Sequence, residues 1–73
     1  MKLPEKVRNL GWMIKWGYIS KEYFGFSRPW IYQRLNGYDG NGNACGFTDE
    51  QRDRLRDALR DIARKLEEAA DEL

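Results

Sequence analysis

Apolar residues near the start of the chain recur at the spacing of one helix face. Four of them follow one another at steps of four, three and four residues: Leu3, Val7, Leu10 and Ile14. This spacing is typical of an amphipathic helix. Pro4 suits a first helical turn, where its missing N–H costs nothing, and Gly17 is well placed to end the helix. The pattern predicts a first helix over residues 4–16.

Two short helices joined by a turn at Gly25 are predicted next. Ser20 is placed to cap a helix over residues 21–25, and Ser27 to cap a helix over RPWIYQRLN, residues 28–36. A serine hydroxyl in that position can accept a hydrogen bond from an unpaired N–H of the first turn. Gly37 would stop the second of these helices. The following stretch, GYDGNGNACG, predicts a loop or a small two-stranded wing, because Asp-Gly and Asn-Gly are hairpin-turn pairs.

The clearest helical signal lies in the last third of the sequence. Thr48 and Gln51 form a capping box, and no glycine or proline follows them. Apolar residues then recur in a heptad seam, which is typical of helices that pair: Leu55, Leu59, Ile62, Leu66, Ala69 and Leu73. We predict an all-α fold of about four helices, with a domain over residues 1–47 and a long helix over 48–73. Part of that helix would join the core, and part would form an oligomer through Leu59, Ile62, Leu66, Ala69 and Leu73.

Charge and aromatic residues are unevenly distributed. Residues 1–38 carry seven basic and two acidic side chains, whereas residues 39–73 carry six basic and ten acidic ones, so the net charges are +5 and −4. A basic half suits a surface that faces a polyanion, although small proteins also acquire lopsided charge by chance. All ten aromatic residues lie between Trp12 and Phe47. We expect most of the following to build the core: Trp12, Trp16, Tyr18, Phe24, Phe26 and Trp30.

Residue content disfavours several classes of function. Cys45 is the only cysteine and there is no histidine, which excludes an internal disulfide and a Cys/His zinc site. The sequence also lacks a nucleophile elbow and a phosphate loop, so we expect neither an enzyme nor a cofactor. No apolar run approaches the ~18 residues that a membrane span requires, and the first residues lack the features of a signal peptide. We expect a soluble cytoplasmic protein with no membrane partner.

Residues 39–50, DGNGNACGFTDE, match part of a calcium-binding EF-hand loop. Oxygen ligands stand at positions one, three, five and twelve of that loop: Asp39, Asn41, Asn43 and Glu50. However, Ala44 stands where the sharp turn requires glycine, and Gly46 stands where an apolar residue is usual. Glu50 also falls in the first turn of the last predicted helix. We expect a turn-rich loop here and no metal.

Residues 25–28, Gly-Phe-Ser-Arg, followed by Ile31, Leu35 and Asn36-Gly37, form a recognisable pattern. It resembles the turn and recognition helix of helix-turn-helix DNA-binding proteins, in particular small bacterial and phage repressors. The resemblance implies that the glycine opens the turn, the serine caps the second helix, and Ile31 and Leu35 anchor it. The longer run ISKEYFGxSRxWxYQRLNG is also similar to an uncharacterised family of short proteins from gut Bacteroidetes, which implies no mechanism.

Two positions depart from the helix-turn-helix pattern. Lys21 stands where that family has a small residue, and Arg34 where it has an apolar one. The family's register would expose Ser27, Arg28, Tyr32, Gln33 and Asn36 as the reading face. Periodicity alone would instead bury Ile31, Tyr32 and Leu35 and expose Trp30, Gln33 and Arg34. Both interpretations expose Gln33, and the position of Tyr32 distinguishes them.

Amide and guanidinium side chains on such a face have a direct chemical use. Asn and Gln can donate to and accept from adenine in the major groove, and Arg can bind guanine or phosphate. Lysines nearby would attract phosphates regardless of sequence. The resemblance implies a sequence-specific transcriptional regulator that binds double-stranded DNA as a homodimer. Its candidate contacts are Lys21, Ser27, Arg28, Tyr32, Gln33, Arg34 and Asn36.

An alternative class of function remains open. In that interpretation the heptad seam and exposed aromatic residues bind another protein, and nucleic acid plays no part. The two classes differ in salt dependence. DNA binding weakens steeply as the salt concentration rises, because the release of counterions from DNA becomes less favourable, whereas apolar association does not weaken in this way.

Overall fold

Four helical segments follow one another along the residues that the computed structural model describes, 3–38 and 40–73. Helix α1 (Glu5–Arg8) continues as a 3₁₀ turn (Asn9–Trp12), and helix α2 (Trp16–Ile19) continues as a π-helical segment (Ser20–Phe24). Helix α3 spans Arg28–Asn36 and helix α4 spans Asp49–Asp71. These residues contain no β-strand, only an isolated antiparallel bridge. The predicted all-α fold with a long C-terminal helix is confirmed.

The first predicted helix, over residues 4–16, is wrong in its last turn, because helical structure ends at Trp12. The chain bends through residues 13–15 and brings the Trp16 indole back over Gly11, where a Cβ atom would lie only 2.9 Å from Trp16 Nε1. Trp16 is buried, whereas Trp12 is 92% exposed. Burial of a large aromatic ring outweighs the few hydrogen bonds of one more helical turn. Trp12 and Trp16 therefore lie on different sides of the fold, one in solvent and one in the core.

Gly17 and Ser20 lie inside the second helical segment rather than at its boundaries. The prediction that Gly17 ends a helix and Ser20 caps the next is wrong, because both small residues serve a helix crossing. A Cβ atom on Gly17 would lie 3.0 Å from Arg28 Cγ of α3. Ser20 is completely buried, and its hydroxyl donates to the Ser27 carbonyl at 2.6 Å. The Ser20 hydroxyl therefore forms a hydrogen bond across the turn instead of capping a helix.

The turn and the third helix lie where the sequence predicts them. Gly25 has φ 73° and Gly37 has φ 85°, both in the left-handed region that favours glycine. They begin the turn before α3 and end α3 itself. Ser27 occupies the N-cap position in an extended conformation, but its side chain makes no capping hydrogen bond.

The core is built around α2 and α3. Ile19 and Ile31 are fully buried at its centre, and the other buried apolar residues come from every part of the fold: Leu3, Trp16, Phe24, Phe47, Leu55 and Ala58. Of the six aromatic residues expected in the core, Trp16 and Phe24 are buried and Trp30 is half-buried. The expectation fails for Trp12, Tyr18 and Phe26, which are exposed.

Helix α4 begins at the predicted capping box and extends past the core. The Gln51 N–H donates to Thr48 Oγ1 at 3.1 Å, and the Thr48 N–H donates to Gln51 Oε1 at 3.0 Å. Leu55 and Ala58 are buried, and Leu59 and Ile62 are half-buried against the core. Beyond Ile62 every residue of the helix is exposed, which fits overall dimensions of 46 × 23 × 22 Å. Among the described residues, no helix is both long and apolar enough to cross a membrane.

The segment between α3 and α4 is a loop that folds back on α3. Tyr38 and Ala44 form the isolated bridge, and the Cys45 N–H donates to the Gly37 carbonyl at 2.8 Å. This pairing is shorter than a two-stranded wing. Asp39, the first position of the EF-hand-like pattern, lies outside the described residues. Within residues 3–38 and 40–73, no group of three His, Cys, Asp or Glu side chains could hold a metal ion.

Candidate nucleic-acid interface

Ser20 fixes the turn between the π-helical segment and α3. Its carbonyl accepts hydrogen bonds from the N–H groups of Gly25 and Phe26, the latter at 3.1 Å. Its hydroxyl reaches across the turn to the Ser27 carbonyl. Because Ser20 is completely buried, these bonds are shielded from water. The turn therefore holds α3 at one orientation relative to α2.

The two helices approach each other at Gly17, one turn before the position that the helix-turn-helix pattern reserves for a small residue, and at Ser20, directly before that position. Lys21 occupies that position and is exposed. The departure at Lys21 thus costs nothing in packing, because Gly17 makes room for the aliphatic stem of Arg28. Lys21 keeps its charge in solvent beside the turn.

The outer edge of α3 consists of Arg28, Tyr32 and Asn36. These residues are four apart, about one helical turn each, and all three are exposed. The Arg28 guanidinium lies over the Tyr32 ring at 5.2 Å from its centroid. Ile31, about 100° around the helix from Tyr32, is fully buried and holds α3 to the core. The edge is a polar surface on a well-anchored helix.

Tyr32 is 37% exposed, as the helix-turn-helix register requires and contrary to simple periodicity. The reason is Trp30, which periodicity leaves outside. Its ring lies 5.0 Å from Phe24, 4.6 Å from Phe26 and 5.9 Å from Phe47, measured between centroids. Burying this indole among three other rings rotates α3 about its axis. Tyr32 then turns toward solvent.

Gln33 is less accessible than both interpretations expected, and Arg34 is less accessible than periodicity expected, because both are half-buried. The loop lies over this side of the helix, where Cys45 Sγ donates to the Gln33 carbonyl at 3.4 Å. The Arg34 guanidinium lies over the Trp30 ring at 5.6 Å, and its Nε atom is buried without a hydrogen-bond partner. Arg34 therefore belongs to the aromatic side of α3 and does not share the outer edge. Ser27 is exposed at the amino end of the helix.

Arg8 and Asn9 also adjoin the outer edge, although the sequence did not single them out. They line an open groove of about 450 Å³ between the first helical segment and α3, together with Tyr32 and Asn36. Arg8 also borders a second open groove, of about 640 Å³, beside Arg34 and the loop. The only sequence signal for Arg8 was the basic charge of the first half of the chain. Nothing in a linear pattern places it beside Asn36.

The five residues expected to mediate oligomerisation fall into two groups. Leu59 and Ile62 pack against the chain's own core, while Leu66, Ala69 and Leu73 are exposed. Pairing through this seam remains a prediction, and the exposed group is the part available to a partner.

Comparison with curated proteins and with solved structures gives no match. A protein family described as Domain of unknown function (DUF5053) matches residues 3–73, which include every helix described above. The chain belongs to this family.

Proposed function

We propose that this protein is a sequence-specific DNA-binding regulator that acts as a homodimer. The observation that supports the proposal is the outer edge of α3, where Arg28, Tyr32 and Asn36 are exposed on a helix anchored by Ile31. An α-helix fits the major groove of B-DNA, which is about 12 Å wide. A polar helix edge held by a packed turn is the arrangement by which helix-turn-helix proteins read bases.

Each side chain of the edge has a role in this proposal. Asn36 would make paired hydrogen bonds with adenine, and Arg28 would bind guanine or a phosphate. The Tyr32 ring holds the Arg28 guanidinium in one region of space, at 5.2 Å, which lowers the entropy lost when Arg28 binds. Tyr32 itself can donate its hydroxyl to a phosphate.

Basic residues around the edge supply the attraction that does not depend on sequence. Arg8 lies beside Asn36 in the groove next to α1, and Lys21 is exposed before the turn. Contacts of this kind fix the register of a protein on the duplex. The net charge of +5 over residues 1–38 favours the same surface, since the acidic residues lie mainly on α4.

Selection of bound sequences from a random duplex pool, followed by fluorescence anisotropy on the enriched duplex, tests the proposal. Arg28→Ala with Asn36→Ala should lower affinity about 30-fold or more, because each lost base contact costs about 1–3 kcal/mol. Arg54→Ala is the matched control, since Arg54 is an exposed arginine on α4. Failure to enrich any duplex, or equal effects of the double variant and the control, would overturn the proposal.

Exposed apolar residues favour a second candidate, a protein-interaction module. Trp12 and Met13 are almost fully exposed beside one another, and Leu66 is exposed on α4. Binding through such residues buries apolar area and responds weakly to salt. Raising salt from 50 to 200 mM separates the two functions, because a DNA complex with several phosphate contacts loses orders of magnitude in affinity over that range.

A further inference from the structure

The last part of α4 and the two residues that follow it carry an apolar face that the chain itself does not cover. Leu66 is 63% exposed, and Ala69 and Leu73 are also exposed. At the base of this face Ile62 borders an open apolar hollow of about 320 Å³, whose other walls are Ile14, Lys15 and Tyr18. The face is therefore continuous from the end of α4 to the second helical segment.

Charge along the same stretch changes sign. Residues 60–65 contain three basic side chains and one acidic, whereas residues 67–72 contain four acidic side chains and no basic one. Glu68 pairs with Arg64 at 2.9 Å. Within the described part of the chain, Glu67, Asp71 and Glu72 form no ion pair. The acidic end of α4 thus lacks a basic partner of its own for most of its charge.

We propose that a second copy of this chain covers the apolar face, with the two α4 helices antiparallel and the acidic end of each along the basic stretch of the other. This inference rests on the homodimer in the proposed function and adds the orientation of its helices. Heptad geometry supports antiparallel pairing. With Leu59 and Leu66 at a positions and Ile62 and Ala69 at d positions, Lys65 and Glu72 fall at g positions.

Residues at g positions face each other across an antiparallel pair, so Lys65, which contacts Asp61 of its own chain at 3.1 Å, also meets the partner's Glu72 on both sides of the dimer. In a parallel pair g positions face e positions, which here are Ala63 and Ala70, and no ion pair forms. A parallel pair would also place the acidic ends side by side, which is unfavourable. Charge therefore selects the antiparallel orientation.

The heptad register also fixes which apolar residues meet. Layers of an antiparallel pair join a to d positions, so Leu66 packs on the partner's Ala69 and Ile62 packs on the partner's Leu73. The partner's Leu73 then enters the hollow beside Ile14 and Tyr18. Lys15, at the rim of that hollow, lies close to the acidic residues that precede the partner's Leu73.

This arrangement has a consequence for DNA. Two copies related by a two-fold axis present two equivalent α3 edges, so we expect the selected site to be a palindrome.

Disulfide trapping tests the orientation directly, in full-length chains that carry Cys45→Ser. Ala63→Cys mixed with Ala70→Cys should give a crosslinked heterodimer, because these e positions face each other only in the antiparallel pair. Leu73→Cys alone should remain uncrosslinked, since in this register the two copies of residue 73 are about 16 Å apart along the axis, too far for a disulfide. Crosslinking of Leu73→Cys without the mixed product would overturn the proposal.

A charge-reversal series tests the ion pairs by sedimentation equilibrium. Glu72→Lys should weaken self-association about fivefold or more. Glu67→Lys, the same charge change at an outward b position, should have a smaller effect. If Glu72→Lys and Glu67→Lys weaken self-association equally, then Lys65 does not face the partner's Glu72. A chain that stays monomeric at all concentrations would overturn the antiparallel pairing without contradicting DNA binding by α3. A disulfide-trapped dimer that binds no duplex would overturn only the proposed function.

Discussion

Tyr23 and Asp61 are 38 residues apart in the sequence, yet the Tyr23 hydroxyl donates a 2.7 Å hydrogen bond to Asp61 Oδ2. Arg64 and Lys65 also contact this carboxylate, at 2.6 and 3.1 Å. The hydrogen bond from Tyr23, followed by those from Arg64 and Lys65, holds the pKa of Asp61 well below its usual range. One carboxylate thus joins α4 to the π-helical segment that precedes the turn.

The Asp61 contacts predict a loss of stability in acid. Because the pKa of Asp61 is lower in the folded chain than in the unfolded one, its contribution is complete above the ordinary value of about 4. It is lost as the pH falls from there toward the folded-state value. Urea unfolding at pH 7 and at pH 3 should therefore show a larger drop in midpoint for the wild type than for Asp61→Asn. Asp53→Asn, which removes an exposed pair with Arg56, is the control and should keep the drop.

Ser20 and Ser27 make a matched pair of alanine substitutions. Ser20→Ala removes a buried hydroxyl and leaves the Ser27 carbonyl without that donor, so the free energy of unfolding should fall by about 1 kcal/mol. Ser27→Ala should change it by less than about 0.5 kcal/mol, because the Ser27 side chain makes no capping hydrogen bond. Chemical denaturation measures both, and a larger loss for Ser27→Ala would contradict this account of the turn.

The sequence predicts α3 and α4 well because their ends are set by local chemistry. The left-handed glycine at residue 37 and the Thr48–Gln51 capping box act within a few residues of the boundary they define. Helices α1 and α2 are predicted poorly because the bend between them is set by packing that apolar spacing does not encode. Trp16 is buried against Gly11, five residues before it, only when the chain bends, whereas periodicity continues the first helix through that point.

Asn36 and Gln33 distinguish the outer edge of α3 from its side. Asn36→Ala should weaken binding to the selected duplex about tenfold and relax specificity at one base pair, because Asn36 is exposed. Gln33→Ala should have a smaller effect, since Gln33 is half-buried beside the loop. Anisotropy against duplexes with single base changes measures both. A larger effect of Gln33→Ala would move the reading surface toward the loop.

The candidate site was predictable only in part, and Trp30 explains the limit. A helical wheel assigns Trp30 to solvent because three of its neighbours in the wheel are polar. In the fold the indole packs among Phe24, Phe26 and Phe47, and that contact decides which edge of α3 faces outward. Phe24 lies four residues before the start of α3, and Phe47 lies after the loop that follows it, so a wheel drawn on α3 alone includes neither. Arg8 and Asn9, from the first helical segment, line the groove beside the same edge, a proximity that no spacing encodes.

Gly17 offers a way to disturb Arg28 without unfolding the domain. Gly17→Ala should keep or slightly raise stability, because alanine is favoured over glycine in a helix by up to about 1 kcal/mol. The new Cβ atom would lie 3.0 Å from Arg28 Cγ and 3.1 Å from Cδ, so the flexible arginine must shift by a few tenths of an ångström from its place over Tyr32. Duplex affinity should fall severalfold toward that of Arg28→Ala. Unchanged affinity together with unchanged stability would show that the placement of Arg28 over Tyr32 has no role in binding.

Leu66 and Leu59 separate self-association from folding along the same seam. Leu66→Asp should convert a dimer to a monomer in sedimentation equilibrium and leave the thermal midpoint of the monomer unchanged, because Leu66 is 63% exposed. Leu59→Asp should both prevent association and destabilise the fold, since it places a charge among half-buried residues packed on Leu55. Ala63→Asp, at a neighbouring exposed position beside the seam, is the control and should weaken association less than Leu66→Asp. A wild-type chain that is already monomeric at millimolar concentration, or a Leu66→Asp chain that still dimerises, would show that the apolar end of α4 serves some other purpose than pairing with its copy.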